Sequence, residues 1–286
     1  MAVTTVNFIG AGNLGKTIGK LLCKSQLVKI HAICNRSLVN TSQAINFIGQ
    51  GTYCESIKEL PPADITFITT PDDCIEGIGR ELASKSTQSG SVIVHCSGLL
   101  SSEVLQPLKN SGCFVASVHP MRSFANPAVS VEEFEGTYCA MEGDNEALSV
   151  LEVLFKAIGS KVYQIDKNKK PLYHAAGVFA SNYLVTLAQQ ALECLKEAGV
   201  ENEIAMKAIA SLMKGTVSNL EKTLSPEKSL TGPIKRGDLL TIRKHINAFS
   251  SFKQRELYEM LGITTVNLTT HSNEVKNSLK AEFTNY

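Results

Sequence analysis

From Val6 to Ile165 the chain alternates short, nearly unbroken apolar runs with stretches in which apolar residues recur every three or four positions. Val6–Ile9, Lys29–Cys34, Asp64–Thr70, Ser91–Cys96, Phe114–Val118, Tyr138–Glu142 and Lys161–Ile165 read as strands, most of them apolar enough to be buried on both faces. Helical spacing fills the gaps: Thr17–Lys24 with Ile18, Leu21 and Leu22 on one side, then Thr41–Gly49, a helix running to Ala83, Ser101–Asn110 and Glu146–Ile158. Pro71-Asp72-Asp73 can open the third of these with a capping carboxylate, and Gly51 to Pro62 predicts a short connection. Strand and helix in alternation require crossover connections, so the fold class is α/β with a mostly parallel, doubly wound sheet whose ligands lie at the carboxyl ends of the strands.

After Asp166 the rhythm changes. Leu172 to Ala198 contains no proline and is followed by Gly199, which predicts one long helix; Glu203–Leu224 predicts another. Asp238–Leu261 holds one or two helices, and Thr264–Tyr286 is weakly helical and polar. The charged stretch Lys167–Lys170 marks the boundary, giving an expected sheet domain over 1–166 and an all-helical domain over 167–286.

The first apolar run turns directly into Gly10-Ala11-Gly12-Asn13-Leu14-Gly15 and then into a helix. This strand, spaced-glycine loop and helix form the context that a dinucleotide's phosphates require. Gly10 permits a tight turn, Gly12 lets backbone approach a pyrophosphate, and Gly15 lets helix pack on strand. The phosphates would rest on amides at the helix's positive end. The second strand ends in Asn35-Arg36-Ser37, where an NAD site usually carries an acid for the ribose hydroxyls. Arg36 can instead present its planar fork to a 2′-phosphate, with Asn35 and Ser37 adding neutral groups, so the expected cofactor is NADP. Thr70, ending the strand that begins at Asp64, completes the expected cofactor set.

Composition narrows the classes. A net charge of +1 supplies no basic excess for nucleic acid, and no apolar run is long enough to span a bilayer. A strand starting at Val6 leaves no room for a leader, so a cytoplasmic protein is expected. The eight cysteines are scattered singly, without a Cys-x-x-Cys pair, so no metal site is expected. The long Leu172–Ala198 stretch carries more apolar residues than one core-facing stripe needs, among them Phe179, Tyr183, Leu184 and Leu187, which predicts a homodimer.

The glycine loop, Asn35-Arg36-Ser37, Val94-His95-Cys96-Ser97-Gly98, His119-Pro120, Tyr173-His174-Ala175-Ala176 with Phe179-Ala180-Ser181-Asn182, and Leu230 to Asp238 together resemble a group of bacterial proteins. These join a Rossmann-like domain to a helical C-terminal domain of unknown function. They are filed as NADP oxidoreductases beside pyrroline-5-carboxylate reductase and the 6-phosphogluconate dehydrogenase superfamily. The resemblance covers about residues 3 to 262. It implies a Rossmann-like domain, a helical domain and NADP, and it names no substrate.

Four residues are catalytic candidates. Ser97 follows a strand end, where its hydroxyl either reaches the nicotinamide end of a cofactor or serves the local turn. His119 ends another strand before Pro120 and can take or return a proton near neutral pH. His119-Pro120-Met121 is similar to a stretch of prephenate dehydrogenases, although Arg122-Ser123-Phe124 replaces their glycine-containing segment. His174 and Asn182 lie two helical turns apart on one face. If Asn182 matches the asparagine of the 6-phosphogluconate dehydrogenase superfamily, Val178 occupies the position of its acid/base lysine, so either His174 handles the proton or the helix only binds. Arg122 and Arg236 are candidate clamps for an anionic substrate, although Arg236 with Asp238 also reads as a capping turn. Hydride transfer to or from a small anionic metabolite between the two domains is therefore expected, with a non-catalytic NADP-sensing protein and a prephenate-dehydrogenase-like enzyme as alternatives.

Overall fold

The computed structural model describes residues 4–85 and 89–284. The apolar runs pair as β1 (Thr4–Ile9), β2 (Val28–Cys34), β3 (Thr52–Cys54), β4 (Ile65–Ile68), β5 (Val92–His95), β6 (Phe114–Pro120), β7 (Tyr138–Gly143) and β8 (Lys161–Gln164) in one sheet of order β3-β2-β1-β4-β5-β6-β7-β8. The helices between them are α1 (Asn13–Ser25), α2 (Leu38–Ile48), α3 (Asp72–Ala83), α4 (Gln106–Asn110), α5 (Pro127–Glu132) and α6 (Asn145–Ala157). Successive residues point to opposite faces, and each face meets helices. Phe8, Phe67 and Ile18 enter one core while Ile9, Ile68 and Leu82 enter the other, which explains why the strands read as unbroken apolar runs.

Strand order runs outward from β1 in both directions, to β2 and to β4, so the switch point lies above the carboxyl ends of β1 and β4. The glycine loop sits there. One pair, β6 with β7, is antiparallel. The connection between these strands carries the short α5, capped by Asn126 Oδ1 on the amides of Ala128 and Val129. The three-residue β3 falls within the expected connection 51–62, and α5 was likewise unforeseen; neither is long enough to show a period.

The chain then continues through α7 (Lys170–Gly177), a π-helical turn (Val178–Asn182), α8 (Tyr183–Glu197), α9 (Asn202–Thr223), α10 (Pro226–Ser229), α11 (Pro233–Arg236), α12 (Leu239–Ala248), α13 (Phe252–Val266) and α14 (Asn273–Glu282). The single helix expected over Leu172–Ala198 is interrupted by the π turn, and Asp238–Leu261 is divided at Ser251, whose hydroxyl caps α13. Two compact units result, Met1–Asn182 and Tyr183–Tyr286. The charged residues read as a linker include Lys170, whose side chain is 1% exposed within the first unit, so α7 stays with the sheet. In the second unit Ile242, Ile246, Val266, Leu279 and Phe283 form one core, and Leu192, Ala205 and Ile209 another. No helix among the described residues is long and apolar enough to cross a membrane.

Candidate functional site

Between β1 and α1 the chain makes its turn at Gly10, with φ +86°, where a Cβ would lie 2.3 Å from Thr70 Cγ2. Gly15 is equally constrained, because a Cβ there would come within 2.4 Å of Thr69 Oγ1. Gly12 differs: its φ is −75° and a Cβ would meet no protein atom within 4 Å. No side chain caps the start of α1, and its first turn holds no acid, so its amides have neither an internal partner nor a resident negative charge. A cavity of about 650 Å³ opens beside this loop, lined among others by Gly10, Ala11, Gly12, Asn35, Arg36 and Thr70. Asn35 Oδ1 accepts from the Ala11 amide at 2.6 Å, tying the end of β2 to the loop, while Asn35 Nδ2 and Thr70 Oγ1 are buried without a partner. Buried polar atoms left open in a cavity wall fit a polar ligand. Arg36 stands exposed on the rim, and Ser37 caps α2 through the Asn40 amide at 3.5 Å. Asn13 turns its amide to the carbonyls of Phe124 and Ala125, and Leu14 packs on the core, so both can offer a ligand only backbone.

A second group forms at the carboxyl ends of β5 and β6. Ser97 Oγ donates to Asp72 Oδ2 at 2.7 Å and accepts from the Leu99 and Leu100 amides at 3.1 and 2.9 Å. Of the two readings open for Ser97, these are the bonds of the turn. Asp72 thereby turns to Ser97, and α3 begins at Pro71 without the expected side-chain cap. Behind the turn His95 is fully buried; Nδ1 accepts from the Ser97 amide and Nε2 donates to the Ser101 carbonyl, each at 3.2 Å. Burial, reinforced by the nearby Lys170 charge, pushes its pKa down to about 3.

His119 Nδ1 is 2.8 Å from the Tyr173 hydroxyl, which also lies 3.4 Å from the His119 carbonyl. Its other edge rests on Gly98: a Cβ there would fall 2.9 Å from His119 Nε2 and 2.8 Å from His174 Cδ2. Only glycine lets both rings approach this turn, and their centroids are 6.4 Å apart. Burial, then the charges of Lys170 and His174, push the His119 pKa down to about 4. The ring therefore stays neutral at physiological pH, with Nε2 toward Gly98. Asn182, at the end of the π turn, is exposed. Eight residues of regular helix would overshoot two turns by about 80°, and the wider π turn takes up part of that excess between His174 and Asn182.

Three neighbours were not foreseen: Lys170, Tyr173 and Glu142. Lys170 and Tyr173 fall one turn before and directly beside His174 on α7, a spacing that could have drawn attention to them. Lys170 Nζ lies 2.9 Å from the Ser97 carbonyl, 2.5 Å from Ser117 Oγ and 3.6 Å from Glu142 Oε1. Arg122 is bound by Glu133, through the carboxylate and, at 2.6 Å, the carbonyl. Arg236 is exposed in the helical unit, where Asp238 caps α12 through the Thr241 amide at 3.0 Å. Among the described residues no cluster of three or more His, Cys, Asp or Glu side chains is placed to hold a metal ion.

The Rossmann-like domain family matches residues 1–120, and the domain of unknown function DUF2520 matches residues 137–265. The crystal structure of protein TM1727 from Thermotoga maritima is 30% identical, with a TM-score of 0.72 over 96% of this chain and 98% of that one. Protein BF3122 of Bacteroides fragilis, provisionally named an NADP oxidoreductase, is 20% identical, with a TM-score of 0.74 over 92% and 98% of the two chains. A pyrroline-5-carboxylate reductase from Coxiella burnetii is 13% identical, with a TM-score of 0.62 over 99% and 97%. The last two likenesses are of fold alone. No curated protein matches the chain.

Proposed function

The chain belongs to the family that joins a Rossmann-like domain to the domain of unknown function DUF2520, and from that premise we propose that it is an NADP-dependent oxidoreductase acting on a small anionic metabolite. The observation that carries the reading is the glycine loop: a Cβ added at Gly12 would meet no other part of the protein, no side chain caps the start of α1, and Asn35 Nδ2 and Thr70 Oγ1 are buried beside it without partners. In this reading the pyrophosphate rests on the loop and α1 amides, with Asn13 and Leu14 contributing backbone, and Arg36 at the rim receives the 2′-phosphate. The provisional name of the Bacteroides protein supports the same cofactor.

A nicotinamide cofactor, when bound, supplies or takes the hydride. The chain's own residues handle the rest. His119 holds or moves a proton at Nε2, opposite the reacting oxygen or nitrogen of the substrate, and Tyr173 fixes the ring through Nδ1. His174, on the other side of Gly98, is the second candidate for the proton, and Asn182 orients the reacting group. Ser97 shapes the turn on which both rings rest. Arg122 would have to exchange Glu133 for a substrate anion, and Arg236 offers the other cation. The helical unit exposes Val185, Ile204, Leu212 and Met260, which supports a second copy of the chain as its partner.

The test is a hydride-transfer screen that follows NADPH absorbance over keto acids, imines and cyclohexadienyl acids, repeated with His119→Asn and His174→Asn. One substitution should abolish turnover while NADPH still binds; the strand-end geometry favours His119. Binding of NADPH without turnover of any class would favour a sensor, and turnover confined to cyclohexadienyl acids a prephenate-dehydrogenase-like enzyme. An unchanged rate and pH profile in both variants refutes the proposed proton transfer.

A further inference from the structure

A lysine with 1% of its side chain exposed needs a reason, because the charge loses water and must be compensated inside. Lys170 finds its compensation on three different strand ends. The Ser97 carbonyl leads into Gly98, on which the His119 and His174 rings rest. Ser117 lies on β6, two residues before His119, and Glu142 faces Ser117 directly across the β6/β7 ladder. The Glu142 carboxylate is held in turn by the amide and hydroxyl of Ser102, both at 2.8 Å. From its first residue, α7 thus bolts β5, β6 and β7 together, and the same helix presents Tyr173 and His174 one turn later.

We propose that Lys170 is the positioning residue of this site: it fixes the Gly98 turn, Tyr173 and His119 in one arrangement, and its buried charge helps to keep the resting imidazole unprotonated. From α7, Lys170 and His174 act on His119 and Tyr173 bonds its Nδ1, with Tyr163 of β8 beyond Tyr173; across the ladder His119 pairs with Ala140, Cys139 with Pro120 and Glu142 with Ser117, and His95 lies behind the turn. Burial holds Cys139 and Tyr173 in their neutral forms and His95 unprotonated. Lys170 lies against the Glu142 carboxylate, and Asp72 is a further acid that acts on it. After burial, the lysine charge is the next largest influence that opposes formation of an imidazolium at His119. The positioning role rests on the reading of His119 as the proton-transfer group.

The experiment is an NMR titration of the histidine Cε1–H resonances in the full chain without cofactor or substrate, with His119 assigned from the His119→Gln spectrum. In the wild type the His119 midpoint lies near pH 4. In Lys170→Met, and in Lys170→Met/Glu142→Gln where no unpaired charge is left buried, it moves up, while burial still holds it below the ordinary histidine value. Ser117→Ala, which removes a hydrogen bond and keeps the charge, leaves it in place. A wild-type midpoint at or above the ordinary histidine value, or a midpoint unmoved by loss of Lys170, overturns the inference; if neither lysine variant folds, Glu142→Gln, which removes the counter-charge and keeps the lysine, should move the midpoint down, and an unmoved midpoint overturns the inference. The readout involves no hydride transfer, so a failure to bind NADPH would overturn the proposed function and leave this titration standing.

Discussion

Gly10, Gly12 and Gly15 are equivalent in the sequence and differ in what a methyl group would meet, so three alanine substitutions separate folding from binding. At Gly10 the backbone has φ +86° and a Cβ would press on Thr70 Cγ2 at 2.3 Å and the Thr70 amide at 2.9 Å. A left-handed alanine costs about 1–2 kcal/mol and the forced shift about 1–3 more, so Gly10→Ala should destabilise the fold by about 2–5 kcal/mol. Gly15→Ala meets Thr69 Oγ1 at 2.4 Å and the Gly10 carbonyl at 3.1 Å, and should also destabilise. Gly12 has an extended backbone and no protein atom within 4 Å of the added carbon. There alanine removes freedom from the unfolded chain and should leave stability unchanged or raised by about 0.4–1 kcal/mol. It also fills the space assigned to the pyrophosphate, so NADPH affinity should fall at least about tenfold, which is about 1.4 kcal/mol. Urea unfolding followed by calorimetric titration of the folded variants reads both quantities. Wild-type affinity in a folded Gly12→Ala protein would refute the placement of the pyrophosphate, and loss of its fold would refute the claim that a Cβ at Gly12 meets no other part of the protein.

The other expectations are more local. His95 and His119 have pKa values pushed down to about 3 and about 4 in the folded chain against an ordinary value of 6.5, so the unfolded chain takes up protons first as pH falls. The stability they confer is complete above about pH 6.5 and is lost as pH falls toward their folded values, at about 1.4 kcal/mol per pH unit for each group. Urea midpoints should therefore fall steeply from pH 7 to pH 4.5, and His95→Gln should flatten that slope; parallel slopes would refute it. Ser97→Ala leaves Asp72 and the Leu99 and Leu100 amides without their hydroxyl partner and should cost about 1–3 kcal/mol in denaturant unfolding, whereas a cost near zero would contradict the turn role. Light scattering at micromolar concentration should give the mass of a dimer, and a monomer mass refutes pairing through the helical unit.

Much of the fold was legible because the strands that make it are buried on both faces and therefore read as unbroken apolar runs. Val6–Ile9, Lys29–Cys34 and Ser91–Cys96 fall within a residue or three of β1, β2 and β5. The exceptions are physical. β3 is three residues long at the sheet edge, with Tyr53 exposed, too short for any periodicity. The π turn at Val178–Asn182 changes hydrogen-bond register without any proline to announce it. The turn of the proposed cofactor loop was legible through local chain geometry, since glycine spacing encodes a turn. The proposed proton-handling group was legible only in part: His119 and His174 stand at a strand end and on a helix, but the sequence could not show that Gly98 brings their rings together. Lys170 was misread for a simple reason, as one of four residues in a charged stretch. Charge usually marks solvent, and only partners distant in sequence, the Ser97 carbonyl, the Ser117 hydroxyl and the Glu142 carboxylate, make its burial tolerable.

The central claim is that the cavity above the glycine loop takes NADP through Arg36. Calorimetric titration of the wild type with NADPH and with NADH, repeated on Arg36→Ala, tests it most directly. The account predicts that the wild type binds NADPH at least about tenfold more tightly than NADH, and that Arg36→Ala loses about 1.5–3 kcal/mol toward NADPH while NADH is nearly unaffected. Absence of binding to either nucleotide, or equal losses toward both in the variant, would contradict it.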